Sequence, residues 1–98
     1  MIILLLLCMQ NIHAEKFSPQ KTITTQADGA QSVYAADVDG DGDIDVLSAS
    51  LNDDKIAWYE NLDGKGTFST QKTITTQADY AQSVYAADVD GDGDIDVL

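Results

Sequence analysis

Between residues 30 and 76 the chain alternates apolar and polar positions in short runs, each closed by a cluster of Asp, Gly or Asn, which is the pattern of strands and turns. Ser32 to Asp37 (SVYAAD) is rich in small and β-prone residues and predicts a first strand. Ile44 to Ser50 (IDVLSAS) alternates and predicts a second, with turn chemistry following at Leu51 to Asp54. Lys55 to Asn61 (KIAWYEN) predicts a third, placing Ile56 and Trp58 on one face and Ala57 and Tyr59 on the other. Packing between neighbouring sheets accounts for the Trp58-Tyr59 pair without any ligand. Asp63-Gly64-Lys65-Gly66 is a hairpin signal, and a fourth strand is expected over about Thr67 to Thr76, anchored by Phe68 and Ile74. No long stretch follows the 3.6-residue period of a helix, so the fold class is all-β.

These four strands belong to a repeat. Phe17 to Leu47 aligns with Phe68 to Leu98 at an offset of 51, and only two of the 31 aligned pairs differ: Pro19 against Thr70 and Gly29 against Tyr80. Two copies this similar point to a recent duplication, so their agreement is no measure of constraint. A period near 50 with strand patterning suits a blade of a β-propeller and is too long for a leucine-rich or ankyrin unit. One complete four-stranded antiparallel unit is expected (Ser32 to Thr76), preceded by a lone fourth strand (Phe17 to Thr25) and followed by a first strand and the start of a second (Ser83 to Leu98). That is about 1.6 blades, where a closed ring needs roughly four to eight. The chain is expected to be a fragment of a larger propeller, to be completed by further blades.

The first residues differ in character. Met1 to Met9 is an apolar run far shorter than the ~20 residues of a membrane-spanning helix. With Gln10 and Asn11 following and Ala14 as a small residue at the end, residues 1–14 read as a secretory signal peptide cleaved after Ala14, although no Lys or Arg precedes the apolar run. Leu7 is too bulky for a lipoprotein box before Cys8. Cleavage would remove Cys8 and His13, the only cysteine and histidine, leaving 15–98 as the repeat region without either residue. The expected location is secreted, extracellular or at the cell surface, with no membrane insertion after cleavage.

Composition adds a constraint on the core and another on partners. Of the 44% hydrophobic residues, a quarter lie in the first 14 positions, and ten of the remainder are alanine, so the core is thin for a chain of 98 residues. Seventeen acidic side chains against five lysines and no arginine give a net charge of -12. That balance excludes nucleic acid and anionic membrane surfaces as partners held by charge.

The acids are concentrated. Asp37, Asp39, Asp41, Asp43 and Asp45 share nine residues with Gly40 and Gly42, and Asp88, Asp90, Asp92, Asp94 and Asp96 repeat them. One like-charge pair at ~4 Å costs about 4 kcal/mol at an effective dielectric near 20, and no lysine lies inside either loop. A bound cation resolves the repulsion, and oxygen-only donors on a flexible loop favour Ca²⁺ over Mg²⁺. With Asp37 as position 1, carboxylates fall at 1, 3, 5 and 9 and Gly42 at 6, where the chain turns around the ion. Position 7 is Asp43, expected to offer its backbone carbonyl while its side chain faces solvent. Position 12 is Ser48 where an EF-hand needs Glu, and the flanks are strands, which excludes that motif.

The strand and loop Val33 to Leu47, the segment Ile56-Ala57-Trp58-Tyr59-Glu60-Asn61, and Asp63-Gly64-Lys65-Gly66-Thr67-Phe68 together resemble the FG-GAP-like repeat family, also described as VCBS repeats, and more distantly the calcium-binding blades of integrin alpha-subunits. The resemblance implies a propeller whose inter-strand loops bind Ca²⁺ in secreted or cell-surface proteins. It implies side-chain ligands at Asp37, Asp39, Asp41 and Asp45 and a carbonyl at Asp43, with Asp88, Asp90, Asp92, Asp94 and Asp96 repeating those roles. A binding or adhesion module directed at an extracellular protein or glycan is the expected function. The competing expectation is the propeller portion of a secreted carbohydrate-active or other enzyme whose catalytic part lies elsewhere. Residues 15–98 contain no Ser/His/Asp set, and Gly64-Lys65-Gly66 lacks the spacing of a phosphate-binding loop, so no catalytic role is expected of this chain itself.

Overall fold

The computed structural model describes residues 17–98. The expected signal peptide at 1–14 lies outside the described residues. Six strands follow in order: β1 (Ala30–Ala36), β2 (Asp45–Ser50), β3 (Lys55–Tyr59), β4 (Lys72–Thr75), β5 (Ala86–Ala87) and β6 (Asp96–Val97). Among the described residues no helix forms, and none is long and apolar enough to cross a membrane. Strands β1 to β4 make one antiparallel sheet in sequential order, and β5 pairs with β6 in a second. The architecture is one complete four-stranded blade followed by the first two strands of another.

Side-chain alternation assigns the two faces of the blade. Tyr34 pairs with Leu47, Leu47 with Trp58, and Ala49 with Ile56, so these residues share one face. Leu47 and Ala49 on this face are fully buried against Ala81, Val84 and Ala86 of the next repeat, with Tyr34, Ile56 and Trp58 around them. Burying Leu47 alone contributes about 2 kcal/mol. The alanines instead allow the sheets to approach closely. Tyr34 and its repeat equivalent Tyr85 meet at this contact with ring centroids 4.6 Å apart and planes tilted by 51°. The opposite face carries Val33, Val46, Ser48 and Tyr59. Here the Tyr59 hydroxyl lies 3.1 Å from the Ser48 hydroxyl and accepts a bond from Gln71 Nε2 at 2.9 Å, so the buried phenol is satisfied within the blade.

The outermost strands are shorter than their sequence pattern predicts. Residues 17–25 form no strand, and Phe17 is fully exposed. A fourth strand needs the third strand of its own blade as hydrogen-bonding partner, and none of the described residues supplies one. The fourth strand of the complete blade shrinks from the expected 67–76 to Lys72–Thr75, and within it Thr75 pairs with Ile56 but Thr73 with Ala57. Ile74 is the extra residue of this bulge and turns outward, 44% exposed. It is therefore not the apolar anchor its pattern predicts. Phe68 joins the blade by a single bridge to Asn61. Lys72 closes the edge from β4, its ammonium paired with Glu60 and 4.6 Å from the centre of the Trp58 ring.

Gly29 and Tyr80, one of the two differences between the repeats, both adopt left-handed backbone, at φ of 69° and 52°. Gly29 sits beneath Asn52: its carbonyl accepts from Leu51 N at 3.0 Å, and a Cβ there would lie 2.8 Å from Asn52 side-chain atoms. Tyr80 occupies an open position, 68% exposed, with its N–H donated to Asp54 Oδ1 at 2.9 Å. The two sites therefore respond differently to the same exchange. Gly29→Tyr is expected to cost about 1–2 kcal/mol, the penalty of an L-residue in left-handed backbone, whereas Tyr80→Gly leaves stability unchanged or slightly raised because relieved strain offsets glycine's added unfolded-state freedom. Urea denaturation of the two variants checks this, and equal losses would refute it.

Candidate metal centre

Each aspartate loop is organised by its own first carboxylate. The chain leaves β1 at Ala36 and must reverse before β2, and Asp37 fills the turn by accepting backbone N–H groups. Its Oδ1 accepts from Gly40 N at 2.9 Å and Asp41 N at 3.1 Å, and its Oδ2 from Gly42 N at 2.9 Å. Gly40 and Gly42 take φ of 76° and 91°, backbone open to glycine and strained for most other residues. Asp39 Oδ1 accepts from Asp41 N at 3.3 Å, and Asp41 Oδ1 from Asp43 N at 2.9 Å. The loop thus curls around its carboxylates, and the second oxygens of Asp39 and Asp41 carry no protein hydrogen bond. Asp88, Asp90 and Asp92 repeat the same bonds within 0.1 Å.

Asp45 closes the loop onto the sheet. Its carboxylate is fully buried, with Oδ2 accepting from Val38 N at 3.0 Å and Oδ1 from Asn61 N at 2.8 Å. Asn61 extends this link: its Nδ2 donates to the Ile44 carbonyl at 3.0 Å, and its Oδ1 accepts from Gly66 N at 3.1 Å. One residue therefore ties the aspartate loop, the end of β3 and the 63–66 hairpin together. The pattern Trp-Tyr-Glu-Asn followed by Asp-Gly-x-Gly contains this asparagine, but nothing in its spacing announces that it bonds to a loop 17 residues earlier.

Of the residues singled out in the first loop, the structure brings together Asp37, Asp39 and Asp41, each offering one carboxylate oxygen within 4.8 Å of the others. In the second loop the group is Asp88, Asp90 and Asp96. Asp96 Oδ2 accepts from Val89 N at 2.9 Å, as Asp45 does from Val38, but no second bond like that from Asn61 holds its Oδ1. Asp43 departs from the expected solvent-facing orientation. It is half-buried, and its carboxylate lies against Gly64 where any Cβ would collide with it. Asp94 is exposed.

The electrostatics follow from this crowding. Loss of hydration raises the pKa of Asp39 above its ordinary 3.8, with the charges of Asp45 and Asp41 adding to the effect. Asp43 is raised for the same first cause, with Asp41, Asp37, Asp45 and Asp63 contributing. Asp63 is lowered, first by its side-chain bond with Thr67 and then by the N–H groups of Lys65 and Thr67. Among the described residues the ion pairs of lysine go to Asp53 and Glu60, and none reaches a loop carboxylate. Three converging oxygen donors with unspent lone pairs and no counter-charge fit a hard divalent cation.

A family model described as FG-GAP-like repeat matches residues 9–48 and 37–98, two segments that overlap on the first aspartate loop. No curated protein and no solved structure matches the chain.

Asp45, unlike Asp41, also ties the loop to β3 through its buried carboxylate. Asp45→Ala strands two backbone N–H groups and is expected to destabilise the chelator-treated protein by about 2–5 kcal/mol, whereas the exposed Asp41→Ala stays within about 0.5 kcal/mol under the same conditions. Denaturation of both variants in chelator checks this; similar losses would show that the loop, and not its tie to β3, carries the difference.

Proposed function

The chain belongs to the FG-GAP-like repeat family, and from that premise we propose that it is a calcium-binding extracellular propeller module acting in binding or adhesion rather than catalysis. The observation that carries this reading is that in each copy three aspartates converge on a common point without a cationic side chain among them, two of the three, Asp37 and Asp39 or Asp88 and Asp90, at equivalent positions of the repeat. Asp37, Asp39 and Asp41 would hold the ion in the first loop and Asp88, Asp90 and Asp96 in the second. Asp45 and Asp92 complete the carboxylate sets, with Asp43 and Asp94 contributing main-chain carbonyls. Bound Ca²⁺ supplies the positive charge that these loops lack.

The loop residues convert that charge into rigidity. Asp37 already fixes three N–H groups of the turn, and Asp45 fixes the turn to β3. Neutralising the cluster removes the repulsion that opposes both sets of bonds. Calcium near millimolar outside cells fills even weak sites of this type, which suits secretion through the apolar leader. Partners in this reading are an extracellular protein or glycan bound by loops that the blades hold in place.

Two measurements test the proposal. Calorimetric titration of Ca²⁺ into chelator-treated protein is expected to show up to two sites and a raised melting temperature, with Asp41→Ala abolishing the first site and Asp43→Ala weakening it only slightly. No binding at several millimolar Ca²⁺ would sink the metal assignment. Acid should also release the ion early. Because the pKa values of Asp39 and Asp43 are raised, protons compete with the metal as pH falls toward those values, above the ordinary 3.8. In the metal-free protein the same two groups favour folding as pH falls through that window, because the folded state binds the extra protons. Asp53 and Asp63, lowered in the folded state, act oppositely, and their stabilisation is lost as pH falls below 3.8 through their folded values. Calcium affinity and metal-free stability are thus expected to move in opposite directions just above 3.8.

A further inference from the structure

Of the four tyrosines in the chain, two form a pair. Tyr34 sits in β1, where it pairs with Leu47, and Tyr85 exchanges two main-chain bonds with Leu98, at 3.0 and 2.8 Å. Val84 and Ala86, on either side of Tyr85, are buried in the cluster with Leu47 and Ala49. Both rings are therefore carried by backbone that pairing and packing hold in place. The other two tyrosines are placed differently: Tyr59 is buried with its hydroxyl bonded within the blade, and Tyr80 is exposed.

The ring centres of Tyr34 and Tyr85 are 4.6 Å apart and the planes are tilted by 51°. Ordinary aromatic pairs span ~4.5–7 Å between centres, so this pair stands at the close limit. Two phenyl rings joined by a carbon–carbon bond have centres roughly 4.3 Å apart, two ring radii and one bond length. Such rings settle at a twist between flat and perpendicular, because flat rings clash at their ortho positions and perpendicular rings lose conjugation. The unreacted pair thus stands close to the geometry of its own coupled product. The hydroxyl ends also come together: the pKa of Tyr34 is raised above its ordinary 10.0, first by a side-chain hydrogen bond with Tyr85 and then by lost hydration. Carbons ortho to the hydroxyl carry much of the unpaired spin in a phenoxyl radical, and these flank the two hydroxyls.

We propose that Tyr34 and Tyr85 are a modification site, coupled oxidatively into a dityrosine that joins the two repeats. The oxidant is hydrogen peroxide turned over by a haem peroxidase. Each tyrosine gives up one electron and its phenolic proton, and the two phenoxyl radicals join by a bond between ring carbons ortho to the hydroxyls. The two ring hydrogens displaced there return as protons to the oxygens. Two electrons and two protons leave the protein and reduce one peroxide to two waters. A bond between residues 34 and 85 restricts the unfolded chain as a disulfide does, and the single cysteine among the 98 residues cannot supply one.

The test uses the 98-residue chain carrying Cys8→Ser and Tyr80→Phe, so that neither a disulfide nor the exposed Tyr80 links separate molecules. It is treated with hydrogen peroxide and a haem peroxidase. N-acetyltyrosine in the mixture carries the radical and, by its own coupling, reports that the oxidant is active. A monomer lighter by two hydrogens, with dityrosine fluorescence, is expected in a yield that dilution does not change. Cleavage after lysine is then expected to release peptide 22–55, which holds Tyr34, joined to 73–98, which holds Tyr85. The urea midpoint of the coupled protein is expected to lie above that of the untreated protein. Adding Tyr85→Phe is expected to abolish the product and leave the circular dichroism spectrum unchanged. Coupling of N-acetyltyrosine without loss of two hydrogens from the monomer would overturn the proposal. So would a cross-link found only between separate molecules, or one that persists in Tyr85→Phe.

Discussion

The blade depends on aspartate carboxylates standing in for backbone acceptors. Between β1 and β2 the chain turns too sharply for its N–H groups to find carbonyl partners, and Asp37 takes three of them while Asp45 takes a fourth and reaches across to β3. Buried Asp45 is expensive to desolvate unless its oxygens are engaged, and here each oxygen accepts one main-chain N–H. The charge that makes these bonds strong is also the charge that repels its neighbours, so the same residues create the turn and the demand for a cation.

The apolar contacts are arranged around that turn and contribute little by themselves. Among the described residues Leu47 and Tyr59 are the only large apolar side chains fully buried, and the buried cluster around Leu47 is otherwise alanine and valine. A sheet of this size is half covered at best. Its second half of burial comes from the neighbouring repeat, through Ala81, Val84 and Ala86, so a blade reaches its full stability only in company. Lys72 and Glu60 protect the outer edge with a charged pair over Trp58, a common device against unwanted edge pairing.

Much of this was legible in the residues. Alternation located β1, β2 and β3 to within two residues at each end, because these strands bury one face against a neighbour and their side chains record it. The period of 51 located the blade boundary, and the aspartate spacing located the loops. What failed to show was set by tertiary pairing. The segment 17–25 has the same residues as 68–76 apart from Pro19, yet it forms no strand, since strand formation depends on a partner that composition does not reveal. Ile74 looks like an anchor and is turned outward by a bulge that only the register with Ile56 and Ala57 creates. The contact of Asp45 with Asn61 and the inward turn of Asp43 against Gly64 are likewise products of the fold, bridging positions distant in sequence.

The near-identity of the copies also bears on how the chain reaches this arrangement. Strand β2 pairs with β1 through Val33 to Ala36, and Val84 to Ala87 carries the same four residues in the same order. Side-chain chemistry therefore gives β2 no basis for choosing between the two. The choice rests on the connection: residues 37–44 in one case and 51–85 in the other, a roughly four-fold difference in loop length worth about 1 kcal/mol of closure entropy. Folding of this duplicated chain is a kinetic contest between degenerate partners, biased by proximity along the backbone.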